Sequence, residues 1–259
     1  MLCYELKKMD ASCRLVSGKD NAAILYRDYK LLCLIARVKR NRLFEQYEHQ
    51  ILLDIPRSYP RSRWLQDEKK KELILHQLKI WCIYSRIGYF QGLLFLLIPL
   101  CHFFEGLHHI SFFAFVRVVK NLHFVHKDVI DPTELHIETD ESLHVLRVLS
   151  YCTEIEEDQM HLRQLLWVIE FNIMFTLALN RCGDNLKNTD LIIKFFISTL
   201  HDTKQFIERV KSFAFAFLLH IVKSKMNPFD ICSIEFDRDA LSSIIHCAES
   251  SGTLFKAFA

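Results

Sequence analysis

Nearly everywhere along the chain the apolar positions recur with a helical period. Leu25, Tyr29, Leu32 and Ala36 fall on one face, while Arg27, Lys30 and Lys39 can lie elsewhere. A second helix is expected over Arg42 to Asp54. Pro56 and Pro60 then bracket a short non-helical stretch, because proline removes a backbone donor and pushes the residue before it out of the α region. Ile74, Leu78 and Trp81 mark the next helix, with Lys69, Lys70, Lys71 and Glu72 at its solvated start. An apolar helix is expected after Gly88 and another around Phe112 to Leu122. The polar stretch 123–140, with Pro132, reads as a connection between two lobes. Thr139 can cap the next helix, with Asp140 and Glu141 complementing its positive end. Two helices are expected in 141–180, and another after Thr189-Asp190. Asp202 and Gln205 resemble a capping box, ahead of a face made of Phe206, Val210, Phe213, Phe217 and Ile221. Asn227-Pro228 stops that helix. A last amphipathic one spans 238–249 through Leu241, Ile244, Ile245 and Ala248.

The pattern therefore predicts an all-α, two-lobed helical domain occupying the whole chain, 1–259, with an N-terminal lobe over roughly 20–125 and a C-terminal lobe over roughly 140–259. Composition supports this. Half of the residues are hydrophobic, 21 of them Phe, whereas only 6 Gly and 5 Pro are present, too few for a turn-rich all-β fold. A formal net charge of +2 makes no electrostatic case for nucleic acid. The nine Cys form no CxxC pair and the count is odd, which favours a reducing, cytoplasmic setting over a disulfide framework. Ile87 to Phe104 is an uncharged run of 18 residues, long enough for a membrane span, so a helical membrane protein is one alternative. Gln91, Pro99 and His102 interrupt it, and a fully buried core helix accounts for the same residues.

Two segments carry chemistry. In Ile51-Leu-Leu-Asp54-Ile-Pro-Arg57-Ser-Tyr-Pro60 an arginine is presented from a proline-framed turn, with Asp54 three residues earlier to orient its guanidinium. In Ile87-Gly88-Tyr89-Phe-Gln91-Gly92 two glycines permit close backbone approach as an apolar helix begins, and Gln91 stands at its mouth. Each has an ordinary reading by itself: Arg57 as a surface arginine paired with Asp54, Gln91 as a helix cap.

In combination and in this order the two segments resemble the TBC-domain family, the activators of Rab-type GTPases. The resemblance rests on Ile51, Asp54 and Arg57, then Tyr89 and Gln91. The flanks agree: Ser58-Tyr59-Pro60 stands where the family tends to have Thr-Phe-Pro, and Ile87-Gly88 and Gly92 border the second motif. The resemblance implies an all-helical TBC-like fold. It also implies a dual-finger mechanism, in which Arg57 neutralises developing phosphate charge and Gln91 positions the attacking water, both supplied in trans. Asp54 and Tyr89 would hold the fingers in place. The partner would be a Rab-type small GTPase in its GTP-bound form. GTP and Mg would belong to that partner, and this chain would have no cofactor and no independent catalytic activity. Vesicle trafficking is the implied setting, and any association with endomembranes would come through the partner.

Some positions depart from the family pattern. No Trp precedes residue 64, Leu93-Leu94 follow Gln91-Gly92, and Leu191 to Ser198 (LIIKFFIS) has neither Trp nor Asp, although Trp167 matches the first Trp of the second lobe. These keep a second alternative open, a catalytically weak TBC-like scaffold that binds a GTPase or other partner. His108, His109, His123, His126 and His136 lack any metal-binding spacing, so no metal is expected. The chain has no GxxxxGK[ST], GxGxxG or GxSxG motif.

Overall fold

The computed structural model describes residues 22–86, 88–90, 92–125, 176–182, 186–224 and 235–258. Among them are eight α-helices and no strand: α1 (Ala22–Val38), α2 (Arg42–Ser58), α3 (Glu68–Ser85), α4 (Gly92–Phe103), α5 (His108–Val125), α6 (Leu186–Ile197), α7 (Thr203–Lys223) and α8 (Arg238–Phe258). Short 3-10 turns stand at Arg63–Gln66 and Leu179–Arg181. The all-α expectation holds. The expected cap at Thr139, most of the helices expected in 141–180, and Trp167 lie outside the described residues, as does Asn227-Pro228.

Helix α4 is the hub. Leu93, Leu94, Leu96, Leu97, Ile98 and Leu100 are all buried, so it is apolar on every side and packs against α2, α3, α5 and α6. Its 12 residues rise ~18 Å, short of the ~30 Å hydrocarbon layer, and no helix among the described residues is long and apolar enough to cross a membrane. Pro99 lies inside α4, and its missing N–H frees the carbonyl of Phe95 one turn earlier. The buried Tyr59 fills that gap. Its hydroxyl lies 3.3 Å from the Phe95 carbonyl oxygen and 3.1 Å from that of Leu179, and it has one proton to donate between them.

Further polar ties join early helices to late ones. Arg117 on α5 donates to the carbonyls of Leu200 and His201 at 3.2 and 2.8 Å, and Asn121 donates to Leu200 at 3.1 Å. Asp202 caps α7 by accepting from the Lys204 and Gln205 N–H groups, and the Gln205 side chain returns to its carboxylate at 3.0 Å. Phe206, Val210, Phe213, Phe217 and Ile221 are buried as their spacing predicts, facing α6 and α8.

Three helix boundaries differ from expectation. Helix α2 does not stop at Asp54 but runs through Pro56 to Ser58. The carbonyl that Pro56 leaves without an N–H belongs to Leu52, an exposed position where water can serve, and burial of Ile55 holds the helical path. Helix α6 begins at Leu186, so Thr189 sits inside its first turn and returns its hydroxyl to the Leu186 carbonyl at 2.5 Å. Helix α8 continues to Phe258. At the end of the expected 141–180 helices, residues 176–182 instead form turns. Leu177 and Ala178 there hold φ of 51° and 57°, left-handed values uncommon for residues with a Cβ.

Candidate functional site

The face of α2 made by Tyr47, Ile51 and Asp54 is spaced at i, i+4 and i+7 and turns toward the segment joining α3 to α4. Ile51 is fully buried on it. The segment begins at Arg86, the C-cap of α3, with φ 59°, where helices commonly end on glycine. Gly88 then passes so close to α2 that a Cβ there would lie 2.6 Å from Cε2 of Tyr47. A larger residue here would have to displace the Tyr47 ring. Tyr89 comes next, its ring 6.5 Å from that of Tyr47 and its side chain buried.

The Tyr89 hydroxyl donates to Oδ2 of Asp54 at 3.0 Å. The Asp54 residue is only 3% exposed. Its other oxygen accepts from Nε2 of Gln50 at 2.9 Å. Burial first, and then the neighbouring Asp54 charge, push the Tyr89 phenol well above its ordinary value, so it stays protonated and keeps donating. One hydrogen bond thus joins the two sequence motifs across 35 residues.

This corrects the role expected of Asp54. Both carboxylate oxygens are engaged, one by the exposed Gln50 and the other by the buried Tyr89, and Asp54 forms no ion pair with Arg57. Arg57 lies three residues further on, in the exposed last turn of α2, and among the described residues its guanidinium has no hydrogen-bond or ion-pair partner. It is not framed by a turn. It stands on a helix whose end is secured by the Ser58 hydroxyl, which donates to the Asp54 carbonyl at 2.8 Å, and by the buried Tyr59. Leu52 and Leu53, both exposed, flank it on the preceding turn.

Gln91 and Ile87 lie outside the described residues. The neighbours of Gln91 are described. Phe90 accepts from the Leu93 N–H at 3.1 Å, which closes the turn at the start of α4, and Gly92 is the first residue of that helix. The structure therefore brings Ile51, Asp54, Gly88 and Tyr89 together, with Arg57 at the rim.

Two residues of the site are not singled out by the sequence, Gln50 and Tyr47, and for Tyr59 the sequence shows a motif position but not its partners. Gln50 stands four residues before Asp54, a spacing at which side chains meet on a helix, and Tyr47 a full seven before it. Tyr59 carries no such local signal, because its partners Phe95 and Leu179 are distant in the chain. Among the described residues no group of three His, Cys, Asp or Glu side chains is gathered as a metal site. His108 and His109 begin α5, and burial lowers the pKa of both.

Comparison with known families matches residues 35–149 to the Rab-GTPase-TBC domain, a span that takes in both motifs. Neither the curated proteins nor the solved structures include a match to the chain. The likeness of this chain to the Rab-GTPase-TBC domain family thus rests on residues 35–149, somewhat less than half of its length.

Proposed function

We propose that the chain accelerates GTP hydrolysis by a Rab-type small GTPase in its GTP-bound form, with Arg57 and Gln91 inserted into the partner's active site. Hydrolysis of GTP asks little covalent chemistry of a protein. It asks for neutralisation of the charge that develops on the γ-phosphate and for an oriented water. Arg57 meets the first need, since a planar guanidinium can offer two parallel donors to phosphate oxygens. Gln91 meets the second, since a side-chain amide accepts from water and donates to phosphate at once. Magnesium and nucleotide come with the partner. Through such a partner the chain would act in vesicle trafficking, on the cytoplasmic side of endomembranes.

The observation that carries this reading is the Asp54–Tyr89 hydrogen bond. It ties the base of the Arg57 helix to the segment that ends in Gln91, while Arg57 itself is left without a partner among the described residues, on an exposed rim. A surface arginine serving stability would be expected to use the carboxylate three residues away. That carboxylate is used instead to hold the second motif.

The test is single-turnover GTP hydrolysis across a panel of purified Rab-type GTPases. One or more should be stimulated, and Arg57→Ala should remove ~10³-fold or more of that stimulation with the helical signal intact. Arg57→Lys should also be poor, because a point charge does not reproduce the guanidinium fork. Full stimulation by both variants refutes the assignment. A second reading, a scaffold that binds a GTPase without accelerating it, is favoured by Leu93-Leu94 and by the absence of Trp and Asp from Leu191 to Ser198. Saturable binding to GTP-loaded partner with an unchanged hydrolysis rate would establish it.

A further inference from the structure

Helix α1 has two apolar faces. Tyr29 and Ala36 are buried in the core, with Leu25 and Leu32 packed against it. On the far side Ile24, Leu31, Leu34 and Val38 form a second stripe, interrupted by the exposed Arg27 and open to solvent: Leu31 is 57% exposed, Leu34 56% and Val38 88%. The stripe runs ~21 Å along the helix axis. Large apolar side chains gathered on one outward line mark a contact surface, whereas scattered ones do not.

Charge identifies what the surface fits. Between Ala22 and Arg42 there are six cations, Arg27, Lys30, Arg37, Lys39, Arg40 and Arg42, against one acid, Asp28. The whole chain carries a net charge of only +2, so this segment is the basic end of an otherwise slightly acidic molecule. All six cations are exposed. Arg27 is paired with its neighbour Asp28 at 3.2 Å. Lys30 and Arg37 border the stripe on one side and Lys39 on the other, while Arg40 and Arg42 widen the basic area into the α1–α2 turn. Lys79 on α3 adds to it, since its charge and that of Arg37 both act on His76 between the helices.

We infer that the outer face of α1 docks on an anionic phospholipid membrane, with Ile24, Leu31, Leu34 and Val38 entering the headgroup layer and Lys30, Arg37, Lys39, Arg40 and Arg42 meeting lipid phosphates and carboxylates. An amphipathic helix with a basic rim lies flat at such an interface, and long cationic side chains reach back to the headgroups. A second copy of the chain is a poorer occupant. In a two-fold contact the same patch meets itself, which sets Lys30 and Arg37 against like charges. A helical protein partner needs acids along one seam, whereas the cations here spread over two helices and a turn, as suits a sheet of headgroups. The surface is independent of the GTPase-activating reading, since it uses none of the residues proposed for that activity and its test needs no GTPase.

The experiment is flotation of the full chain with two kinds of vesicle, phosphatidylcholine alone and phosphatidylcholine with about 30 mol% phosphatidylserine, and needs no GTPase. The chain should float with the anionic vesicles, hardly with the neutral ones, and lose binding as salt rises from about 0.05 to 0.5 M. Leu31→Asp/Leu34→Asp should weaken binding about a hundred-fold or more with an unchanged thermal melt, because both side chains are exposed. Lys30→Gln/Arg37→Gln should weaken it about thirty-fold, near five-fold per cation. No flotation with anionic vesicles, equal flotation with both kinds, or undiminished binding by both double variants overturns the proposal. A lowered melt of Leu31→Asp/Leu34→Asp without vesicle binding overturns it in favour of cover by the chain itself. A dimer that this variant dissociates, again without vesicle binding, overturns it in favour of self-association.

Discussion

Tyr89→Phe removes one oxygen atom and tests the coupling of the two motifs directly. The ring can keep its place beside Tyr47, 6.5 Å away, so packing is largely conserved. What disappears is the 3.0 Å bond to Asp54 Oδ2. The Asp54 residue is 3% exposed, so water does not readily replace the donor, and only Gln50 remains to serve the carboxylate. A hydrogen bond to a charged group contributes ~1.5–3 kcal/mol, and a buried acceptor left short adds to the loss. A destabilisation of ~2 kcal/mol should lower Tm by about 4–8 °C for a chain of this length. The functional loss should be separable from this. If Arg57 and Gln91 act as proposed, stimulation of GTP hydrolysis should fall ~10–100-fold at a temperature where the variant is fully folded, because an ångström of misplacement between two catalytic groups costs that much. Asp54→Asn should behave similarly, and the double variant should lose little more than either single one, giving a coupling energy near the value of the bond. Two results would refute the reasoning. A Tyr89→Phe chain with unchanged Tm would show that the bond contributes nothing. A destabilised chain with normal stimulation would show that Asp54–Tyr89 braces the fold without setting the fingers.

Gly88→Ala places a Cβ 2.6 Å from the Tyr47 ring, so it should destabilise by ~1–3 kcal/mol in a denaturant melt, and Tyr47→Leu in the same chain should recover part of that. Tyr59→Phe should cost ~1–2 kcal/mol by leaving the Phe95 and Leu179 carbonyls short of a donor. In a Pro99→Ala background, where residue 99 can again donate to Phe95, the same change should cost measurably less; an equal cost in both backgrounds would contradict this account. Stability should fall as pH rises above 10.0, the ordinary phenol value. Burial chiefly, with Cys33 beside Tyr29 and Asp54 beside Tyr89, raises both folded-state phenols above it, so the unfolded chain releases those protons first. Tyr89→Phe should flatten that alkaline slope; an unaltered slope in urea titrations at high pH would count against it.

Periodicity makes the helices legible where one face is apolar and the other wet. The faces of α1, α3 and α7 emerge from spacing because burial selects residues at i, i+3 and i+4, and Tyr29, Trp81 and Phe213 are indeed buried. Boundaries are less legible where local rules compete with packing. Pro56 signals an end to α2, yet Ile55 is 1% exposed, and its burial outweighs one lost hydrogen bond at a position open to water. Thr189-Asp190 has the chemistry of a helix start, yet Leu186, Ile192 and Ile193 bury themselves along a helix that begins a turn earlier. In the site, Gly88 can be picked out because glycine permits close backbone approach at a helix entrance, and Tyr89 because its segment resembles the second motif of the TBC-domain family. The partner of Asp54 cannot. Arg57 is nearer in sequence and opposite in charge, whereas Tyr89 is neutral and distant, and only the packing of α2 against the α3–α4 segment decides between them.

That choice bears on how a finger can work. A group that must reach into another protein's active site has two conflicting requirements. Its tip must be free of intramolecular partners, or each insertion would first break them. Its base must be held, or the entropy of placing it would be lost at every encounter. Had Asp54 paired with Arg57, the tip would be occupied and the base no better fixed. With Asp54 turned inward, the base is held on both sides of residue 57: by the bond to Tyr89 one turn before it, and two residues after it by Tyr59, whose hydroxyl reaches α4 and the 3-10 turn at Leu179. Pro56 contributes in the same sense, since its ring restricts the backbone next to Arg57, the finger proposed above. The proline inside α4 then has a counterpart reason. By freeing the Phe95 carbonyl it creates the acceptor that Tyr59 uses, so an imperfection in the most buried helix becomes the anchor for the end of α2.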